Sequence, residues 1–294
     1  MIIPESELII NPDGTIFHLR MKPEHLASKV ILVGDPDRVK QISSFFDAIL
    51  YEGSNREFVW KTGVYNNNHI TVLSTGIGTD NIDIVLTELD ALANIDFKKR
   101  TVKRKKQSLI IVRLGTSGTI QANIPVDSWL ISQKAIGMDG LLYYYNNNNM
   151  VRDIDFENKI MEYIFRNNLF AMPNVVDGDK GLIAKLVHPS MFHGVTISAT
   201  GFYGPQGREV RLKNTYPSFN EKIAKFEYKG LKITNYEMEC SAIYGLSALM
   251  GHKAVTICVI IANRPAGTFS KDYNVPMKKL IEHVLNAITS NNYG

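Results

Sequence analysis

The sequence predicts an α/β fold, a three-layer α/β/α sandwich around a central mixed sheet. Three observations carry that prediction. Short apolar, β-branched runs recur along the chain, amphipathic helical patterns separate them, and glycine-rich turns follow several of the runs. Strands alternating with helices build a sheet covered on both faces, and ligands then collect at the carboxyl ends of strands, where these turns fall. The 294 residues, 45% hydrophobic and 21% charged, are read as one domain spanning 1–294.

The elements follow in order. VILV at 30–33 is the first strand, and Gly34-Asp35-Pro36-Asp37-Arg38 leads out of it into a helix. Asp35 suits the N-cap and Pro36 the first turn, while Val39, Ile42, Phe45 and Phe46 share one apolar face. HITVLS at 69–74 is a strand, followed by TGIGT and a helix over about 81–93. SLIIVRL at 108–114 is continuously apolar, as a strand covered on both faces is, and runs into GTSGT. The asparagine tract at 146–149 reads as a loop. Further strands are expected at 194–199, 231–234 and 254–261, and further helices at 156–166, 240–250 and 277–289.

Bulk properties exclude several function classes. The net charge of +4 is local: the stretch KKRTVKRKK at 98–106 holds seven of the 33 basic residues, and without it 26 basic residues face 29 acidic ones. With no aromatic residues interleaved to stack bases, it reads as a solvated loop ahead of a strand, and no nucleic-acid partner is expected. The best apolar run, 254–262, suits a buried strand, so no membrane span is expected. The opening MIIPESELIINPDG lacks the basic start and apolar core of a signal peptide, which points to the cytoplasm. Cys240 and Cys258 belong to no CxxC motif and read as buried thiols; His188 and His193 lack accompanying ligands, so no structural metal is expected.

Five segments could carry chemistry. Gly34 and Arg38 flank a helix N-terminus that offers free N–H groups to an anion. Arg113 lies inside an apolar strand just before Gly115-Thr116-Ser117-Gly118, and a buried guanidinium calls for an anionic partner, either a bound phosphate or an internal acid. That turn is no hydrolase elbow, because its second glycine comes one residue early. Gly76-Ile77-Gly78 lacks the third glycine of a dinucleotide fingerprint. Glu237-Met238-Glu239 offers carboxylates to sugar hydroxyls and a thioether to the sugar's apolar face, with an acid-rich helix start or glycoside hydrolysis as the other readings. Finally, the loop Phe202-Tyr203-Gly204-Pro205-Gln206-Gly207-Arg208 combines a ring, an amide and a guanidinium, which suits a flat heterocycle with carbonyl and imide edges.

Taken in order, these segments resemble the nucleoside phosphorylase-I family, most closely its uridine phosphorylases. The matching motifs are IFHL at 16–19, VGDPDRV at 33–39, REF at 56–58, STGIG at 74–78, RLGTSG at 113–118, FYGPQGR at 202–208, NYEME at 235–239 and the stretch ending IIANR at Arg264. The resemblance implies uridine phosphorolysis, with inorganic phosphate as co-substrate and no other cofactor. It assigns phosphate to Gly34, Arg38, Arg113, Thr116 and a neighbouring subunit's Arg56. Ribose would fall to Glu239, Met238 and a neighbouring subunit's His18, and the base to Phe202, Gln206, Arg208, Ile261 and Arg264, with Arg113, Gln206 and Arg208 carrying the catalysis. Shared sites imply a homo-oligomer, a dimer or a hexamer. Purine-cleaving relatives place an aspartate where Asn263-Arg264 ends its strand, and Asn263 cannot donate a carboxylic proton; a purine phosphorylase is the second reading, and a non-catalytic nucleoside-binding module the third. Three features depart from the pattern: Thr79-Asp80-Asn81, where relatives bind potassium with the positions of Glu57 and Ile77; the basic stretch; and Gly207, where many bacterial members carry an acid.

Overall fold

The computed structural model describes residues 2–165 and 172–290. The first half of the chain gives β1 (Lys29–Val33), α1 (Pro36–Ser43), β2 (Ala48–Asn55), β3 (Phe58–Tyr65), β4 (Asn68–Ser74), α2 (Thr79–Asn94), the short pair β5 (Ile95–Asp96) and β6 (Thr101–Val102), β7 (Ile110–Thr119) and β8 (Trp129–Gly137). The second half gives α3 (Ile154–Ile160), which runs into a π-helical turn, then β9 (Asn174–Asp177), α4 (Lys180–Leu186), β10 (Phe192–Ser198), α5 (Phe219–Lys225), β11 (Glu227–Tyr228), β12 (Leu231–Glu237), α6 (Cys240–Met250), β13 (Lys253–Asn263), β14 (Thr268–Phe269) and α7 (Asn274–Thr289).

The mixed sheet and its flanking helices agree with the sequence reading. Asp35 caps α1 by accepting the Asp37 N–H at 2.9 Å, with Pro36 in the first turn. Apolar faces of α2 and α6 cover one side of the sheet, and those of α1, α4 and α7 the other. The helix expected at 156–166 is α3, starting at Ile154 and followed by the π-helical turn Met161–Phe165; residue 166 lies outside the described residues. Strand β7 does not stop at Leu114 but continues through the glycines to Thr119. Strand β8 was not legible because it carries Ser132, Gln133 and Lys134. Its hydroxyl is answered inside the sheet by Thr196 at 2.5 Å, and its ammonium by Asp153 at 2.7 Å.

The basic stretch is partly structural. In the turn between β5 and β6, Arg100 adopts a left-handed φ of 53° and donates to the carbonyls of Ile3 at 2.8 Å and Pro4 at 3.0 Å. Lys103 donates to the Ala93 carbonyl at 2.8 Å, whereas Lys98, Arg104, Lys105 and Lys106 are exposed.

The sheet also closes on itself. β7 pairs with β13, β13 with β8, β8 with β10, β10 with β12, and β12 returns to β7, so five strands form a ring. The returning pair is antiparallel and short: Asn235 lies opposite Thr119, and Tyr236 opposite Gly118. The carboxyl ends of β7 and β12 therefore run toward and past each other at one seam. Asn235, fully buried, fastens it: Nδ2 donates to Ser117 Oγ at 3.0 Å, and Oδ1 accepts from Thr196 and Thr234 hydroxyls, each at 2.9 Å. Replacing Asn235 with Ala removes all three bonds and leaves Ser117 Oγ facing no amide donor, while Thr196 and Thr234 keep Ser132 and the Val195 carbonyl. The variant is expected to lose about 1–3 kcal/mol in denaturant unfolding; an unchanged midpoint would show that the seam does not depend on this amide.

Candidate active site

A cavity of about 590 Å³ opens at the seam. Its walls come from Gly34 and Arg38 after β1, Gly76 and Ile77 after β4, the end of β7, the loop around Gln206, Glu237 to Glu239 after β12, and Ile261 with Ala262 near the end of β13. Strand ends supply most of this, as expected for an open α/β sheet.

Charge in the cavity is organised by Arg113. Its guanidinium is buried and bonds the carboxylates of both Glu239 and Glu237, the latter at 3.2 Å. Gly115 makes room for it: a Cβ there would stand 2.2 Å from the guanidinium and 3.1 Å from Cys258 Sγ. Glu237 is held by the Ser198 hydroxyl at 2.6 Å and by the N–H groups of Glu239 at 2.9 Å and Cys240 at 3.0 Å. Glu239 accepts in addition the Gly78 N–H at 2.7 Å, from a residue whose φ of 100° suits glycine. Burial pulls the Arg113 guanidinium down, but Glu239 and Glu237 outweigh it, so its proton is held more firmly than usual. The Glu239 carboxyl is also raised, which in its case favours the neutral form: burial lifts it to about 7, Arg113 opposes the rise and Glu237 adds to it. Of the two partners that the sequence left open for Arg113, the internal acids are present, and two of them.

Arg38 is the contrasting cation. It is buried, and among the described residues its guanidinium's hydrogen bond is to the Leu114 carbonyl at 3.4 Å. Among the described residues no carboxylate lies within ion-pair distance of it. Burial lowers its pKa, with the nearby Asp35 partly offsetting this. An arginine desolvated without a counter-ion on a cavity wall is an anion site in waiting. Thr116 and Ser117 line the same end.

At the other end stands Gln206, buried within an otherwise exposed loop. Two guanidiniums converge on its side-chain oxygen, Arg208 at 2.6 Å and Arg264 at 3.0 Å. Guanidiniums only donate, so Oε1 must face them, and the amide nitrogen is left as a donor with no partner among the described residues. The Arg208 guanidinium also lies over the Phe202 ring, 3.8 Å from its centroid.

Two expectations need correction. Arg264 does not line the cavity; it stands behind Gln206, over the Tyr236 ring at 5.0 Å, and burial with the nearby Arg208 lowers its pKa to about 10. Asn263 does not face the base end either. Its Nδ2 donates to the carbonyls of Gln121, Ala122 and Ile124, the last at 2.8 Å, and its oxygen accepts the Ala266 N–H at 3.0 Å. Of Asn263 and Arg264, it is therefore Arg264 that contacts a cavity-lining residue, Gln206.

Neither His18 nor Arg56 lines the cavity. Asn55 donates to the His18 carbonyl at 2.8 Å, next to Arg56, which is exposed at a φ of 55°. His18 Nδ1 bonds Glu88 at 2.7 Å. Glu57 accepts from the Asn81 amide at 3.2 Å, and Ile77 is exposed at the cavity rim. Among the described residues no group of three or more His, Cys, Asp or Glu could hold a metal ion, and no helix is long and apolar enough to cross a membrane. The sequence reading gave no role to Tyr236, Phe269 and Tyr273, which also line the cavity, and none to Glu237 as a partner of Arg113. The last was signalled by the acid pair around Met238; the aromatics carried no signal.

Residues 28–288 match the model of the phosphorylase superfamily. A uridine phosphorylase of Thermococcus kodakarensis is 30% identical over 260 residues, covering 88% of this chain and 81% of the relative. A DeoD-type purine nucleoside phosphorylase of Streptococcus pyogenes is 28% identical, covering 84% of this chain and 85% of that one. Among solved structures, a Trypanosoma brucei nucleoside phosphorylase that shows uridine phosphorylase activity superposes with a TM-score of 0.86 at 29% identity, covering 96% of this chain and 100% of that one. With nearly the whole sheet and every wall of the cavity inside the matched span, this chain belongs to the phosphorylase superfamily.

Proposed function

We propose that this chain is a uridine phosphorylase, transferring the ribosyl group of uridine to inorganic phosphate and releasing uracil and ribose 1-phosphate. The observation that carries the reading is Gln206, whose amide is locked with its N–H donors free, the arrangement that reads a pyrimidine carbonyl. Phosphate is the nucleophile, so no side chain has to be activated. Arg38 and Arg113 orient it, Glu239 accepts from the ribose hydroxyls beside Met238, and Phe202 and Ile261 frame the base. As the glycosidic bond breaks, negative charge grows on the departing base. The paired guanidiniums of Arg208 and Arg264 polarise the Gln206 donors that meet it, so the interaction strengthens toward the transition state.

A charge argument supports a site shared between subunits. Arg38 and Arg113 balance Glu237 and Glu239, which leaves no net positive charge for a phosphate dianion. A partner subunit's Arg56 would supply it, with His18 beside it reaching the 5′-hydroxyl, in a dimer or a hexamer. A potassium ion between subunits would draw on Glu57, which the Asn81 amide already engages. The purine reading is favoured by the DeoD-type relative, but the base end carries guanidiniums and an amide in place of a carboxylic acid.

Uracil release from uridine is expected with phosphate and not without it. Equal release would mean hydrolysis, and faster cleavage of inosine would move the specificity to purines. Arg38→Ala is expected to raise the KM for phosphate with little change in unfolding free energy. Arg113→Ala is expected to abolish turnover and to cost about 3–5 kcal/mol, because it strands two buried carboxylates; equal stability of the two variants would contradict the ion-pair assignment. The kcat/KM for uridine is expected to fall on acidification with a midpoint near the raised Glu239 value of about 7. The stability change has the opposite sign: a carboxyl raised above its ordinary 4.5 costs stability as it ionises, so this group weakens the fold as pH climbs from about 4.5 to about 7. A midpoint near 4.5 in the kinetic profile would remove Glu239 from ribose recognition.

A further inference from the structure

The loop that carries Gln206 has little burial to hold it. Phe202, Tyr203, Val210 and Leu212 are exposed, and Gln206 itself sits at the end of one 3-10 turn. What fixes its backbone is polar. The Gln206 carbonyl accepts from Arg264 and, at 3.2 Å, from Asn220 Nδ2 on α5. The oxygen of the same Asn220 amide accepts the Tyr236 hydroxyl at 2.9 Å. The orientation is unambiguous, because a carbonyl needs a donor and Nδ2 is the only one Asn220 has. Tyr236 lines the cavity, and its ring lies under the Arg264 guanidinium. Gln206, Asn220, Tyr236 and Arg264 thus close a ring of contacts around the base end. Gly207 completes the fit: it is left-handed at φ 71°, and a Cβ there would stand 2.3 Å from Asn220 Nδ2 and 2.8 Å from its Cγ.

We propose that Asn220 is a positioning residue for base recognition, clamping the Gln206 backbone to α5 and the Tyr236 hydroxyl, with Gly207 kept bare to admit it. The assignment rests on Gln206 as the base-reading amide. Asn220 touches no substrate, so its loss acts through loop geometry: the nucleoside is bound less well, while the phosphate end, built on β1 and β7, is untouched.

The test compares Asn220→Ala, Asn220→Asp and Gly207→Ala with the parent. Asp keeps an acceptor for Tyr236 but loses the donor to Gln206 and repels its carbonyl, which separates clamping the loop from merely satisfying Tyr236. The expected result is a rise in uridine KM of about five- to tenfold in all three, with phosphate KM unchanged. The amides of 203, 204 and 206–208 should exchange hydrogen faster, and those of α6 and β13 at the parental rate. Parental uridine KM and loop exchange in Asn220→Asp would overturn the proposal, as would both KM values moving together with the unfolding midpoint. A parent that releases no uracil from uridine would sink the uridine reading alone, and the exchange rates would still decide on the clamp.

Discussion

The buried contact of Arg113 with Glu237 and Glu239 is the constraint around which the rest is arranged. It joins the first half of β7 to the acids at and just after the end of β12, the two strands whose return pairing closes the ring. None of the three charges is tolerable alone in that interior, so the contact demands its surroundings: a bare Gly115 for the guanidinium, the Gly78 N–H for one carboxylate, and the Ser198 hydroxyl with two N–H groups for the other. Fold closure and site assembly are one event here.

The two ends of the cavity use arginine in opposite ways. At the end formed by β1 and β7, Arg113 is neutralised by the protein and Arg38 is not, so the cavity wall carries one satisfied and one unsatisfied guanidinium. At the end formed by the 202–208 loop, Arg208 and Arg264 are spent on the uncharged Gln206 amide, turning a neutral side chain into a strongly polarised donor. A cation placed directly against the base would hold an anionic leaving group well but would also select for anionic ligands. An amide charged from behind discriminates by shape and donor pattern.

Much of this was legible in the sequence, for physical reasons that differ by element. β1, β4, β10 and β13 are apolar enough to announce themselves, and Asp35-Pro36 marks a helix start by capping alone. β8 was hidden because its polar residues are satisfied by partners far along the chain, Thr196 and Asp153. The continuation of β7 through Gly115 and Gly118 ran against the low strand preference of glycine, and only the guanidinium that fills the space explains it. In the site, motifs pointed to Arg38, Gln206 and Glu239, which the structure brings to one cavity. They could not show that Asn263 turns away to three backbone carbonyls, or that Arg264 works from behind Gln206, because side-chain direction at a strand end is set by tertiary neighbours.

The long reach of the central contact bears on how the chain comes into being. Arg113 and Glu239 are separated by 126 residues, so a ribosome delivers the guanidinium well before either acid that neutralises it. Until then, β7 has a cation within its apolar run and no place to bury it. The strands of the first half can gather, but the ring and its cavity need β12 and, still later in the chain, β13. The cavity is therefore completed from residues at the late end of the chain, and its walls cannot all be in place until β13 is made.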